Sequence, residues 1–374
     1  MTSQLLVVSP GLLTTFQDLG RYGFRRFGVP RSGVLHPDLA RIANALAGNG
    51  ENESVLEFFL SGPSFRLESG SVRLALAGDF RIELTRNRKK SMLRSWRTIT
   101  LEEGDQLQLG PVSTGKAGYV AISGGLDLKP VLESCSTYLR GGFGGMDGNR
   151  LLAGMQLPVM QGRPISDPDC YLPEAPGRET FGGPEPGHDQ DDPIPIRVIL
   201  GPQDDYFSDS SIATFLSSDY TISRESDRMG SRLVGPALTH REDCKPEIVS
   251  DGIVPGAIQV PGNGAPIVLL ADGPTVGGYP KIATVASVDL PRIAVLVPGR
   301  RVSFRAITVE EGAELLLERR RHLAALIARI VPLRLVGGVD LERLYSSNLV
   351  SGAMDARCPP ACNRQADSIA EDRR

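Results

Sequence analysis

Short apolar runs broken by glycine, proline, asparagine and aspartate set the rhythm of this chain. SVRLALAG, RIELT, QLQLG, GYVAIS, IRVILG, AIQVP, PIVLLA, IATVASV, AVLVPG and VSFRAI are alternating or β-branched stretches of strand length. Helical spacing is rare. From His36 to Gly48, Leu39, Ile42, Ala43 and Leu46 recur at i, i+3, i+4 and i+7, with Pro37 in the first turn and Gly48 placed to end the helix. A second helical pattern covers Val309 to Val331, with a charged face at Glu318–Arg321. Many short strands and few helices predict a mainly β protein, with an antiparallel barrel or sandwich in each lobe.

The composition agrees. The 374 residues include 42 glycines and 28 prolines, about one residue in five, which favours turns over a helical bundle. A length of this order predicts two lobes. With 41 basic and 44 acidic residues, the net charge of −3 argues against a nucleic-acid or anionic-membrane binder. Five cysteines and four scattered histidines give neither a disulfide framework nor a zinc pattern. The start, MTSQLLVVSPG, lacks a basic leader, and the longest uncharged stretch, between Asp251 and Asp272, is interrupted by prolines and glycines. The expectation is a soluble cytoplasmic protein.

Residues 163–196 are rich in proline and acids and read as a long exposed linker. It separates residues 1–162 from 197–332. The two parts share R-x-G-x-R-x-x-G: Arg21, Gly23, Arg25 and Gly28 against Arg228, Gly230, Arg232 and Gly235. Gly48-Asn49-Gly50 against Gly262-Asn263-Gly264, and LEEGDQLQL against LVPGRRVSF, follow in the same order. A tandem duplication accounts for the three matches. The polar tail from Arg357 (357–374) reads as disordered.

Three segments invite chemical readings. Gly110 to Lys116 fits seven positions of a phosphate-binding loop, but Ala117 replaces the magnesium-holding hydroxyl and a strand follows instead of a helix. A turn with an exposed Lys116 is the simpler reading. Ser136 to Gly145, STYLRGGFGG, can form a backbone nest for an anion, with Gly142 and Gly144 as donors and Arg140 beside it, or simply a tight turn. The richest stretch is Ser250 to Thr284. The strand PIVLLA ends in Asp272, and a glycine-rich loop then presents Thr275, Tyr279 and Lys281. Lys281 can bind a carboxylate or stabilise an oxyanion, Asp272 can orient it or act as base, and Gln259 suits an amide or ureido group. Arg228 and Arg232, placed on one strand face, can clamp an anion or tie loops to carboxylates.

VSPGLLTTFQDLGRYGFRRFGVPRSG, IANALAGN, STYLRGGFGG, SDRMGSRL, SDGIVPGAIQVPGNGAPIVLLADGPTVGGYPKIATV and NLVSGAMDA together resemble the biotin-dependent carboxyltransferase family, also called allophanate hydrolase subunit two or urea amidolyase-related. The likeness runs from about residue 7 to residue 356, so 333–356 is a C-terminal family segment. It implies two tandem cyclophilin-like β-barrel lobes. Its free-standing members are most often similar to the C subunit of ATP-dependent 5-oxoprolinase, which opens a lactam ring to give L-glutamate. The resemblance further implies ATP and magnesium, which a partner interface could hold, and no covalent biotin on this chain. It also implies partners of the PxpB or KipI type and of the PxpA type. Other members imply alternatives: half of a biotin-dependent urea or amide carboxyltransferase, or a KipA-like regulator without turnover. The chain departs from the family's usual ADRQTTGGYPK at Gly273, Pro274 and Val276, and has His36 and Met155 where Asp is usual. The loss of an Arg and a Gln beside Asp272 removes two candidate substrate contacts. On this resemblance Asp272, Lys281, Tyr279 and Gln259 form the expected catalytic set, and Arg228, Arg232, Thr275, Arg140, Gly142 and Gly144 the expected substrate-binding set.

Overall fold

The computed structural model describes residues 3–162, 166–181, 183, 189 and 191–333, and the backbone of 335–336 and 339–340. Residues 1–332 form one compact unit. Within it, β1 (Gln4–Ser9), β2 (Leu13–Gln17), β3 (Val55–Phe59), β4 (Ser64–Ser69), β5 (Ser71–Arg86), β6 (Lys89–Arg94), β7 (Arg97–Glu102), β8 (Gln106–Ile122), β9 (Gln156–Leu157) and β10 (Cys170–Tyr171) build the first lobe. The second lobe contains β11 (Ile194–Leu200), β12 (Asp219–Ile222), β13 (Gly230–Val234), β14 (Asp251–Gly252), β15 (Ala257–Gln259), β16 (Ile267–Leu269), β17 (Val276–Gly277), β18 (Lys281–Val285) and β19 (Arg301–Ala306). A last strand, β20 (Val331–Pro332), returns to pair with β10. Four α-helices are described: α1 (Pro37–Ala47), α2 (Asp209–Ser217), α3 (Leu290–Ala294) and α4 (Val309–Ile327). The protein is therefore mainly β, as the pattern predicts.

The second lobe is a closed seven-strand barrel, ordered β11-β18-β15-β16-β13-β12-β19 and closed by parallel pairing of β19 with β11. The first lobe is an eleven-stranded sheet built on two long strands. SVRLALAG and RIELT are halves of the single strand β5, and QLQLG and GYVAIS are halves of β8. Gly78 and Gly110–Gly115 do not end these strands. They sit at irregularities in the β5–β8 pairing, where the two strands bend together. AVLVPG, by contrast, is the end of α3 and the turn after it. Its apolar residues Ala294, Val295 and Leu296 are buried without strand pairing.

Helix α1 has the expected bounds. His36 caps it by accepting from the Leu39 N–H, Pro37 starts it, and Gly48 ends it at φ 74°. Its apolar stripe packs over small residues of the sheet, and Ala75, Ala77, Ala117 and Ala121 allow the close approach. Helix α4 starts on a Thr308–Glu311 capping box and stops at Ile327, four residues before the sequence pattern ends. One hydrophobic core runs from α1 and the sheet face beneath it into the barrel interior, so the two lobes share their core. A second core, including Phe58, Phe65, Leu74 and Leu107, lies on the other side of the first sheet.

The linker expectation needs correction over its described part. Asp167 to Phe181 is packed, not free. Leu172 and Phe181 are buried, Tyr171 pairs with Arg97, and Asp169 accepts from the Thr98 and Thr100 hydroxyls. Two apolar side chains spaced along a proline-rich segment suffice to hold it against the sheet. Residues 163–165, 182, 184–188 and 190 lie outside the described residues, as does most of 333–356 and all of the 357–374 tail. The unit beyond Pro332 contributes one small hairpin, Leu335–Val336 against Val339–Asp340. No helix among the described residues is long and apolar enough to cross a membrane.

Candidate functional site

Two polar groups stand out in the fold, and each is built from residues far apart in sequence. The first sits where the lobes meet. Arg228, just before β13, is about nine-tenths buried. Its Nε and Nη2 donate to both oxygens of Asp272 at 2.8 and 3.2 Å, Nη2 also donates to the Gly33 carbonyl at 2.6 Å, and Nη1 donates to Glu57. Glu57, fully buried on β3, also accepts from the Tyr119 hydroxyl at 2.8 Å and the Leu35 N–H at 2.7 Å. Tyr119 in turn accepts from the His36 N–H at 2.9 Å. Each of these charges has partners from other elements, which is what a buried charge requires.

The charges respond accordingly. Burial alone would lower the Arg228 guanidinium, but Asp272 and Glu57 overcome it and hold it above its ordinary value. Burial pushes the Glu57 carboxyl up, with Arg228, the Leu35 N–H and Tyr119 pulling it back. Burial, reinforced by Glu57, raises the Tyr119 phenol well above its usual value.

Lys116 stands near this group. It lies inside β8, only 9% exposed, and its amine has no hydrogen bond or ion pair among the described residues. Burial brings that amine down to about 8, with Glu57 and Asp227 opposing and Arg228 assisting. The phosphate-loop-like segment is thus a bent strand and not a turn, and its lysine is not exposed. Its backbone N–H is committed to Val295 O at 2.9 Å across the lobe junction.

The second group lies at the end of the barrel. The short ribbon β14–β17 clamps the glycine-rich loop, with Ile253 N–H donating to Thr275 O and Ile248 N–H to Gly278 O. Gln259 and Lys281 face each other on β15 and β18. The Lys281 amine, almost fully buried, donates to the half-exposed Asp251 carboxylate at 2.8 Å. Gln259 donates to Tyr279 O at 3.3 Å, and the Tyr279 side chain is 39% exposed. The Lys281 hydrogen bond holds the Asp251 carboxyl below its ordinary value, helped by the Gly252 N–H and Gln203.

The expected site residues therefore separate. Gln259, Tyr279, Lys281 and Thr275 come together, although the Thr275 side chain is buried in the ribbon. Asp272 does not orient Lys281; it belongs to Arg228, and Asp251 takes its place. Arg228 and Arg232 do not form one clamp. Arg228 precedes the strand and turns inward, whereas Arg232 is exposed on β13, with Glu225 at 3.8 Å. Gly142, one of the two expected nest donors, is also spent. The N–H groups of Gly141, Gly142 and Gly145 donate to carbonyls of their own loop, and Arg140 is exposed. Gly144 is needed for close packing: a Cβ there would lie 2.0 Å from Ser136 O. Asp18 and Arg21 hold this loop. Asp18 accepts from the hydroxyls of Ser134 and Ser136 and the Cys135 N–H, and Arg21 donates to Ser136 O at 2.6 Å while covering the Phe143 ring.

Sequence reasoning missed Glu57, Tyr119 and Asp251, and read Lys116 as an exposed turn residue although it is buried. Glu57 had a signal: it is the lone charge in the apolar run VLEFFL, and a charge there must find a buried partner.

A mainly β chain of two core-sharing lobes, riveted by a buried Glu–Arg–Asp cluster, defines a two-lobe β scaffold with polar groups on its loop ends. Residues 27–306 match the family described as carboxyltransferase domain, subdomain A and B, and the chain belongs to this family. It is 34% identical to the 5-oxoprolinase C subunit of Escherichia coli (strain K12), over 87% of this chain and 98% of that protein. It is 33% identical to the 5-oxoprolinase C subunit of Haemophilus influenzae, over 85% of this chain and 95% of that protein. A urea amidolyase of Lachancea kluyveri is 31% identical over 83% of this chain, but the match spans only 17% of that protein. The crystal structure of the K. lactis urea amidolyase superposes with a TM-score of 0.75 at 26% identity, covering 87% of this chain and 20% of that one.

Proposed function

We propose that this chain is the C subunit of an ATP-dependent 5-oxoprolinase and helps convert 5-oxo-L-proline to L-glutamate with PxpA- and PxpB-type partners. The observation that supports it best is coverage: the match spans 98% of one 5-oxoprolinase C subunit and 17% of a urea amidolyase. In this reading the barrel-end group meets the substrate. The Lys281 ammonium stabilises negative charge growing on the lactam oxygen, and Asp251 fixes its position. Gln259 and the exposed Tyr279 hydroxyl hydrogen-bond the amide edge. Arg228, Glu57 and Asp272 hold the lobes in register and do not touch the substrate, because their charges are already satisfied by one another.

ATP and magnesium belong to the assembled complex in this proposal. The Gly110–Lys116 segment does not fit a triphosphate, since it is a strand with its lysine buried.

The test is reconstitution with B-type and A-type partners, ATP, magnesium and 5-oxoproline, following glutamate. Glutamate that requires both ATP and this chain, and is indifferent to avidin, supports the proposal. Avidin-sensitive carboxyl transfer would favour the reading suggested by the urea amidolyase likeness. A tight complex without turnover would favour a KipA-like regulator.

A further inference from the structure

Strand β11 pairs with β18 only as far as Leu200 opposite Ala283, but the chain stays beside β18 after that. Gly201 N–H donates to Ile282 O at 2.9 Å, and Gln203 N–H donates to Lys281 O at 3.1 Å. On its other side, β18 meets β15 through a register shift between Ile258 and Gln259, opposite the start of β18. The acceptor for the Lys281 N–H is a side chain: Gln203 Oε1, at 3.2 Å.

The other end of the same amide reaches the barrel-end group. Gln203 Nε2 donates to Asp251 Oδ2 at 3.2 Å, and that oxygen also accepts from the Lys281 ammonium at 2.8 Å. The half-buried Gln203 amide can point only one way. Reversed, it would set N–H against N–H and carbonyl against carboxylate.

Asp251 needs this tie. It lies on the short ribbon β14–β17, its side chain is 52% exposed, and its Oδ1 accepts from the adjacent Gly252 N–H at 2.7 Å. A bond between neighbours in sequence does not fasten a carboxylate to the barrel, and an ion pair with one exposed partner is a weak constraint. Gln203 supplies the neutral link from the barrel to that carboxylate, and it grips the Lys281 main chain at the same time. The Lys281 ammonium, the Gly252 N–H and then Gln203 hold the carboxyl below its ordinary value, so it stays ionised opposite the amine.

We infer that Gln203 is a positioning residue: it fixes the Asp251 carboxylate and the Lys281 backbone relative to each other, and so sets where the Lys281 ammonium stands before a bound substrate. The inference rests on the role given to Lys281 in the proposed function. Gln203 acts through Asp251 and Lys281 and does not itself touch the substrate.

The test is Gln203→Met, which removes both side-chain bonds while the main-chain bond to Lys281 O remains. In the free chain, exchange of the Lys281 ammonium protons with water, followed by NMR of the amine nitrogen, is expected to be at least about threefold faster in the variant. Asp251→Ala reaches the same ammonium from the exposed ribbon. It should speed exchange likewise, and adding Gln203→Met to it should change the rate less than about twofold. In the reconstituted complex, Gln203→Met is expected to lower kcat for glutamate formation about tenfold, with KM within about twofold of the parent. In a Lys281→Met background the same substitution should change kcat less than about twofold, because the group it positions is gone. A residue that only supported the fold would cost the same factor in both backgrounds. An unchanged ammonium exchange rate in Gln203→Met, or an equal loss of kcat in both backgrounds, overturns the inference and leaves the role of Lys281 standing. Full activity in Lys281→Met is the separate outcome that removes the barrel-end reading and the positioning role of Gln203 with it.

Discussion

Arg228 and Glu57 are 171 residues apart and form a buried ion pair across the junction of the two lobes. Asp272 takes the other edge of the same guanidinium. One arginine thus ties the barrel to the first sheet, and its loss leaves two carboxylates without compensation. Arg228→Met is expected to cost about 3–5 kcal/mol by urea denaturation. Glu57→Gln in the Arg228→Met background should recover part of that loss, since it removes one of the stranded charges. An unchanged midpoint in Arg228→Met would sink the rivet assignment.

Lys116 makes stability depend on alkaline pH. Its amine titrates near 8 in the fold against the usual value near 10.5. Between these values the unfolded chain holds a proton that the folded chain has released, so this group's contribution to stability rises with pH across that window. Below pH 8 the buried ammonium destabilises the fold. Lys116→Met is therefore expected to raise stability at pH 7, by at most about 3 kcal/mol, and to flatten the rise between pH 8 and 10.5. Denaturant midpoints over that range decide it.

His36 does the same on the acid side. Burial, then Arg319, lowers its imidazole to about 4 from the usual 6.5. The neutral ring accepts the Leu39 N–H at Nδ1, and its Nε2–H faces Thr180 O at 2.9 Å. Its contribution is fully present above about pH 6.5 and is lost as pH falls through 4. His36→Asn keeps a helix cap without a titrating group and should flatten the stability profile between pH 6.5 and 4.

Gly144 has φ 78° and no room for a Cβ beside Ser136 O. Gly144→Ala is expected to destabilise by about 2 kcal/mol or more, read as a lower thermal midpoint. Gly142, also at positive φ but with open space around it, should lose less, so the difference between the two variants isolates the packing contribution.

In the reconstituted complex, Lys281→Met should lower glutamate formation at least about a hundredfold if its ammonium stabilises the lactam oxygen. Asp251→Asn should fall less, because the amide still accepts a hydrogen bond. Asp251 is half exposed, so folding of that variant should be unaffected. Full activity in Lys281→Met would remove the barrel-end group from the chemistry.

The sequence by itself determined the local elements. Alternation and β-branching made the strands legible, and Pro37, the i+3/i+4 stripe and Gly48 bounded α1, because these signals act within a few residues. It also marked the loop from Asp272 to Lys281 as a candidate for chemistry, with acid, hydroxyl, phenol and amine within ten residues. Only the tertiary structure decided which charges meet. Asp272 and Lys281 are near neighbours on one loop, yet Asp272 turns to Arg228 and Lys281 to Asp251, because strand register and the ribbon β14–β17 fix their directions. Likewise Gly78 and Gly115 look like strand ends in the sequence, while pairing of β5 with β8 carries both strands through them. Glu57 and Lys116 acquire their shifted protonation from burial at a junction that exists only when residues far apart in the chain close on one core. Burial and partner choice are properties of that packing, and short-range pattern does not encode them.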